Sequence, residues 1–212
     1  MEAAGFVLGG GRSSRMGSEK ALALFAGQPL LLHALRILKE AGLSPAIAGA
    51  RAPLERFAPV VTDTFPDRGP LAGICAALQA TTAPLALFLP VDMPLLPPAL
   101  LRFLLAVAAK EASMVTVASV NGFVQTFPAV VSRSALPGLQ CELAAASSGC
   151  LHALRTVAER MGETMTVVPM EAALRGGKLA VASALPLEAW FLNVNSQEDL
   201  ARAEACLAKR LP

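Results

Sequence analysis

Gly5-Phe6-Val7-Leu8-Gly9-Gly10-Gly11-Arg12-Ser13-Ser14-Arg15-Met16-Gly17-Ser18-Glu19-Lys20 joins a short apolar run to a glycine-rich, cationic loop. Residues Gly5–Leu8 read as a buried first strand. Three successive glycines directly after a strand let the backbone approach a ligand with no Cβ in the way. Successive backbone N–H groups there can form an anion-binding concavity. Arg15 adds a planar fork of donors and Lys20 a compact point charge. Leu8, Gly9, Gly10 and Gly11, with Arg15 and Lys20, therefore have the chemistry of a polyphosphate cradle. Two commoner glycine loops are excluded. The dinucleotide pattern G-x-G-x-x-G would need its third glycine at Ser14. The Walker pattern fails because Lys20 stands between Glu19 and Ala21.

Working outward, short β-like runs alternate with helical segments, which predicts a parallel-rich sheet covered on both faces. The expected strands are Gly5–Leu8, Pro45–Ala48, Val60–Thr62, Leu85–Leu89, Met114–Ser119, Thr166–Val168 and Phe191–Val194. The expected helices are Pro29–Ala41, Leu71–Gln79, Pro98–Lys110, Glu142–Arg160 and Gln197–Lys209. Pro29 suits a first helical turn, and Gly42 is a natural stop. Residues 121–140 and 171–190 read as irregular, with Gly176-Gly177 a turn. Ligands on such sheets bind outside the carboxyl ends of the strands. The loops after Leu8, Thr62 and Leu89 are therefore expected to line one pocket.

The 212 residues fit one domain, 1–212, and the net charge of +2 with no dense basic tract speaks against nucleic acid. Hydrophobic residues make up 54% of the chain, yet the longest apolar stretch, Pro84 to Ala109, is broken by Asp92, Arg102 and five prolines. It does not read as a membrane span. The N-terminus lacks a basic region before its apolar run, so the expected compartment is cytoplasmic. The cysteines Cys75, Cys141, Cys150 and Cys206 show no zinc spacing. Cys75 and Cys206 are expected to be buried in apolar helices. With only His33 and His152, a histidine-based mechanism has little material, and His33 reads as packing or surface.

Four blocks resemble one family in order along the chain. Leu8–Lys20 is similar to the L-x-G-G-x-x-x-R-M-G-x-x-K signature of nucleotidyltransferases with a Rossmann-like fold. Asp63-Thr64-Phe65-Pro66-Asp67-Arg68-Gly69-Pro70-Leu71-Ala72-Gly73 looks like an acidic residue followed by G-P-L-A-G. Pro90-Val91-Asp92-Met93-Pro94 matches P-x-D-x-P, and Asn193-Val194-Asn195-Ser196-Gln197-Glu198-Asp199-Leu200 is similar to N-x-N-T-P-E-D-L. Within the superfamily the chain most resembles the molybdenum cofactor guanylyltransferases. That resemblance implies a three-layer Rossmann-like α/β sandwich whose mostly parallel sheet has about seven strands. It also implies transfer of GMP from GTP to a molybdopterin-type phosphate acceptor, with Mg²⁺ and release of pyrophosphate. Implied partners are GTP, that acceptor, and transient contact with cofactor-biosynthesis proteins or molybdoenzymes, in a monomer or weak homo-oligomer.

The resemblance assigns Arg15, Lys20 and Asp92 to catalysis, with Asp92 the metal ligand. A strand-end carboxylate flanked by Pro90 and Pro94 suits a hard cation that takes its other ligands from phosphate and water. A helix-capping role before Pro97-Pro98 is its structural alternative. Asp63, Gly69 and Gly73 are implied in nucleotide binding, beside the glycine loop, Lys20 and Asp92. Asp67 competes with Asp63, and Gly73 also reads as a structural turn. Asn193 and Asn195 are implied at the acceptor, alternating on a strand so that both face one way. Asn195 alone reads equally as the cap of the last helix.

Three departures bear on specificity. An asparagine usual near the guanine is Ala48 or Gly49 here, Ser18 replaces a glycine, and Ala144–Cys150 lacks the family's basic residues. A cytidylyltransferase with another base or acceptor, and a nucleotide-binding module without catalysis, are the alternatives. Retention of Arg15, Lys20 and Asp92 together disfavours the second, since a binding module has no need of the metal ligand.

Overall fold

The computed structural model describes residues 2–9, 20–49, 54–62, 65, 68–145, 149–181 and 183–208. Seven strands form one sheet: β1 (Ala3–Leu8), β4 (Pro45–Ala48), β5 (Val60–Val61), β6 (Leu85–Pro90), β7 (Val115–Val120), β8 (Phe123–Ser132) and β9 (Met165–Pro169). Their spatial order is β5-β4-β1-β6-β8-β7-β9. Only β8 runs against the others. A small hairpin, β2 (Leu24–Phe25) and β3 (Gln28–Pro29), stands apart.

Alternating side chains divide the interior into two cores. On β1, Val7 faces one side while Phe6 and Leu8 face the other. On β6, Leu85, Leu87 and Leu89 join Val7, and Ala86 and Phe88 join Phe6. Period-2 alternation with both faces apolar is what a sheet buried between helical layers requires. Helices α1 (Leu30–Glu40) and α3 (Pro98–Lys110) cover the Val7 face. Helices α2 (Pro70–Ala80), α4 (Leu136–Ala144) and α5 (Cys150–Arg160) cover the Phe6 face. Helix α1 ends as its sequence predicts. Gly42 has φ +89°, its N–H donates to Lys39 O, and Leu43 N–H donates to Leu38 O, a Schellman close.

Four expectations need correction. Phe191–Val194 is no strand: Trp190, Phe191 and Val194 are apolar because they pack into the core beyond α7 (Leu187–Trp190), not because they join a ladder. Residues 121–140 are not irregular, since they hold β8 and α4. Pro128 argues against a central strand. It is tolerated because β8 pairs with β6 only from Ala129 onward and bulges against β7 between Ala129 and Val124. Glu142–Arg160 is not one helix. It breaks between α4 and α5, where Gly149 at φ +75° starts the second. Residues 171–190 carry α6 (Met170–Arg175) and α7, although Gly177 at φ +64° does turn the chain after α6. The last helix, α8, spans Gln197–Ala208. No described helix is long and apolar enough to cross a membrane.

Candidate active site

The strand order reverses between β1 and β6: from β1 the chain moves outward to β4 and β5, then returns to β6 on the opposite flank. The crevice beyond the carboxyl ends of such a pair is where open α/β sheets place ligands. Leu8 pairs with Pro90 at that end, and Gly9 N–H extends the β1–β4 ladder by donating to Ala48 O at 3.0 Å.

Lys20 opens a 3₁₀ turn, Lys20–Leu22, whose Ala21 is fully buried. Beyond it the β2–β3 hairpin is tied to the last helix, with Ala26 N–H donating to Glu204 Oε1 at 2.9 Å. Asp92 leaves β6 between Val91 and Met93, both buried in the core, so the carboxylate is turned out to the crevice. The two meet: Lys20 Nζ donates to Asp92 Oδ2 at 2.6 Å. Lys20 Nζ also donates to Asn195 Oδ1. Val194 N–H donates to the Asp92 carbonyl at 2.8 Å, clamping the Asn193–Asn195 segment onto the Asp92 loop. Residues far apart in sequence thus form one polar cluster at the switch point.

Asn195 is not the cap of α8. Ser196 caps it: Asp199 N–H donates to Ser196 Oγ at 3.1 Å, and Ser196 Oγ donates to Asp199 Oδ2 at 2.9 Å. Asp199 Oδ2 also accepts from Asn195 N–H at 3.0 Å. These bonds, the Asn195 amide first and the Ser196 hydroxyl next, hold the Asp199 carboxyl below its usual range. The Ser196-x-x-Asp199 spacing is a capping-box signature that frees Asn195 for the site. Asn193 and Asn195 are both exposed on either side of buried Val194, in an irregular segment rather than a strand. Asn193 lines a cleft of about 370 Å³ with Pro70, Met93, Gln125, Thr126 and Cys150. Gln125 and Thr126 were invisible as site residues while 121–140 read as irregular.

Gly69 stands exposed at φ +67° as the N-cap of α2, with Pro70 in the first turn, at the helix end that can take an anion. Gly73 is buried one turn later. A Cβ there would sit 3.3 Å from Leu8 Cδ2, so close packing of α2 on β1 accounts for this glycine. Ala48 is fully buried, whereas Gly49 is half-buried with φ +70° at the crevice. Gly10, Gly11, Arg15 and Asp63 lie outside the described residues. His33 is a packing histidine: its Nε2 donates to Phe25 O at 2.8 Å, and Nδ1 accepts from Arg36 at 3.0 Å. Burial is the main cause that lowers its pKa. Cys75 is buried as expected, but Cys206 is only half-buried on α8.

Among the described residues Asp92 Oδ1 is buried with no hydrogen-bond partner, while Oδ2 already faces a cation. A buried orphan carboxylate oxygen is costly unless something charged completes it. Among the described residues no group of three or more His, Cys, Asp or Glu forms a metal cage. The described donors, one partly unpartnered carboxylate with an amide beside it, fit a hard divalent cation shared with phosphate and water.

Curated relatives include a molybdenum cofactor guanylyltransferase of Xanthomonas euvesicatoria, 44% identical over 103 residues, 48% of this chain and 53% of the relative. One from Vibrio atlanticus is 37% identical over 141 residues, 65% of this chain and 72% of the relative. In the first of these alignments the chain spans about half the length of the relative it matches. Among solved structures, molybdopterin-guanine dinucleotide biosynthesis protein A from Archaeoglobus fulgidus superposes with TM-score 0.76 at 22% identity, covering 98% of this chain and 99% of that one. The 2-C-methyl-D-erythritol 4-phosphate cytidylyltransferase of Thermus thermophilus gives 0.68 at 18% identity, covering 99% and 100%. These likenesses carry the three-layer fold. Residues 5–168, well over half the chain, match the MobA-like NTP transferase domain from β1 through β9. The chain belongs to the MobA-like NTP transferase domain family.

Proposed function

We propose that residues 1–212 act as one nucleotidyltransferase domain that moves GMP from GTP to a molybdopterin-type phosphate acceptor. An acceptor phosphate oxygen attacks the α-phosphorus, the new O–P bond forms, the bond to the β-phosphate oxygen breaks, and pyrophosphate leaves with the electron pair. The observation that carries this reading is the Lys20–Asp92–Asn195 cluster at the switch point, with its orphaned Asp92 oxygen.

Little covalent work falls to the chain in such a transfer; positioning and charge neutralisation dominate. Lys20 and Arg15 would neutralise the triphosphate and the departing pyrophosphate, with Leu8, Gly9, Gly10 and Gly11 cradling it. Asp63, Gly69 and Gly73 belong to the nucleotide side in this reading, with Gly73 acting through packing. Asn195 orients Lys20, and Asn193 faces the acceptor. Asp92 would hold Mg²⁺, which would supply neutralisation of the charge that develops on phosphate. Family membership supports a divalent metal in general. The names of the curated relatives support guanine and the molybdenum cofactor.

Ala48-Gly49, in place of an asparagine, leaves base choice to backbone groups, so CTP is the competing donor. Pyrophosphate release measured with GTP, CTP, ATP and UTP, Mg²⁺ and molybdopterin tests both points. The expected result is GTP preferred by kcat/KM. A preference for CTP would overturn the guanylyl assignment, and no release with any nucleotide would overturn transfer itself.

A further inference from the structure

The cleft beside Asp92 has an unusual wall. Between the pairs Val117↔Ala129 and Ser119↔Val124, β7 advances two residues while β8 advances five. Pairing of β8 with β6 begins only at Ala129. Gln125, Thr126 and Phe127 are therefore excess to both ladders and bow into the cleft, opposite Asn193 and Pro70. Bulges that re-aim side chains beside a site are a recurrent use of such irregularities.

The polar groups presented there are uncommitted and uncharged. Gln125 Nε2 donates to Phe123 O at 3.1 Å, which leaves its Oε1 and one N–H without a partner among the described residues. Among the described residues the Thr126 hydroxyl and the Asn193 amide have no protein hydrogen-bond partner. Cys150 contributes a neutral thiol, its pKa pushed up to about 12 by burial first and the nearby Cys75 second. Among the described residues no side chain lining the cleft is charged. Lys20 and Asp92 pair with each other beside Met93, which lines one end.

A phosphate in such a pocket would lose water without gaining a counter-charge. A neutral ring bearing donors and acceptors along its edge would instead complete two amides and a hydroxyl. We infer that the bowed segment of β8 selects the acceptor. Gln125 and Thr126, facing Asn193, hydrogen-bond the edge of an uncharged pterin-type heterocycle, while the acceptor's phosphate lies outside this cleft at the Lys20–Asp92 end. This assignment rests on the transfer reading above and adds the residues that read the acceptor's body.

The test uses the full chain and a 6-substituted pterin that carries no phosphate, with binding followed by pterin fluorescence. The wild type binds it, the acceptor displaces it, and GTP with Mg²⁺ does not. Gln125→Leu, close in size and without donors or acceptors, weakens pterin binding about tenfold or more, one lost buried hydrogen bond being worth about that factor. Thr126→Val weakens it in the same direction and serves if the first variant fails to fold. In both, the GTP affinity measured by calorimetry stays at the wild-type value. Displacement of the pterin by GTP, or wild-type pterin affinity in a folded variant, overturns the inference. A wild type that binds pterin but no GTP would overturn the transfer reading while leaving this one standing.

Discussion

Replacing Asp92 with alanine removes two opposed contributions at once. Its Oδ2 accepts the 2.6 Å bond from Lys20; a charge-assisted bond is worth about 1.5–3 kcal/mol. Its Oδ1 is buried without a partner among the described residues, and such an oxygen typically costs about 1–3 kcal/mol. The side chains of Lys20 and Asp92 are 14% and 19% exposed, so water screens part of their attraction. The two contributions offset to within about 1 kcal/mol, and the melting temperature should move by less than about 4 °C for a chain of this size. Turnover behaves differently. Loss of the proposed metal ligand removes several kcal/mol of transition-state stabilisation, a fall of about 100-fold or more. The assay pairs thermal unfolding of the ligand-free protein with pyrophosphate release at saturating GTP. A variant that keeps more than about a tenth of the wild-type rate has lost under about 1.4 kcal/mol, and the metal assignment would be wrong. A collapse in melting temperature that accounts for the lost activity would refute the argument in another way, by making Asp92 structural.

Lys20→Met keeps the stem and removes the cation, so Asp92 in the ligand-free protein should bind Mn²⁺ (followed by electron paramagnetic resonance) more tightly than in the wild type. Its GTP affinity should fall roughly 10- to 100-fold, and unchanged Mn²⁺ binding would contradict the view that the ammonium competes for the carboxylate. Gly49→Asn should raise the preference for GTP over CTP, because asparagine tolerates a positive φ and Gly49 faces the crevice at φ +70°. Ala48→Asn, by contrast, buries an unpaired amide and should destabilise the protein by about 1–3 kcal/mol with no gain in selectivity; equal behaviour of the two variants would refute the placement. His33 is held neutral, its folded pKa below the usual 6.5. The unfolded chain therefore takes up the proton first, and stability should fall as pH drops below about 6.5 and on through the lowered folded value. Urea unfolding at stepped pH should show that decline shrink in His33→Gln.

The readable parts of the sequence were those where local pattern and global demand agree. Gly5–Leu8, Pro45–Ala48 and Leu85–Leu89 are apolar on both faces because helices cover both faces, and turn residues bound each run. Where they disagree, reading failed. Pro128 disguised β8, since its tolerance depends on a bulge that only the neighbouring strands create. Phe191–Val194 looked like a strand because burial, not pairing, sets its composition. Ser147-Ser148-Gly149 did carry a turn signal, but helical periodicity on either side ran across it. At the site, Lys20, Asp92 and Asn195 were legible as polar chemistry. Their contact was not, since Lys20 lies 72 residues from Asp92 and 175 from Asn195. Gln125 and Thr126 stayed hidden for the same reason as β8.

Transfer of label tests the central claim most directly. GTP labelled at the α-phosphate, incubated with Mg²⁺, molybdopterin and the wild-type chain, should pass its label to the acceptor in step with pyrophosphate release. GTP labelled at the γ-phosphate should place its label in pyrophosphate alone. Label from the γ-position on the acceptor, or α-label recovered only as free GMP, would contradict nucleotidyl transfer at the Lys20–Asp92 crevice.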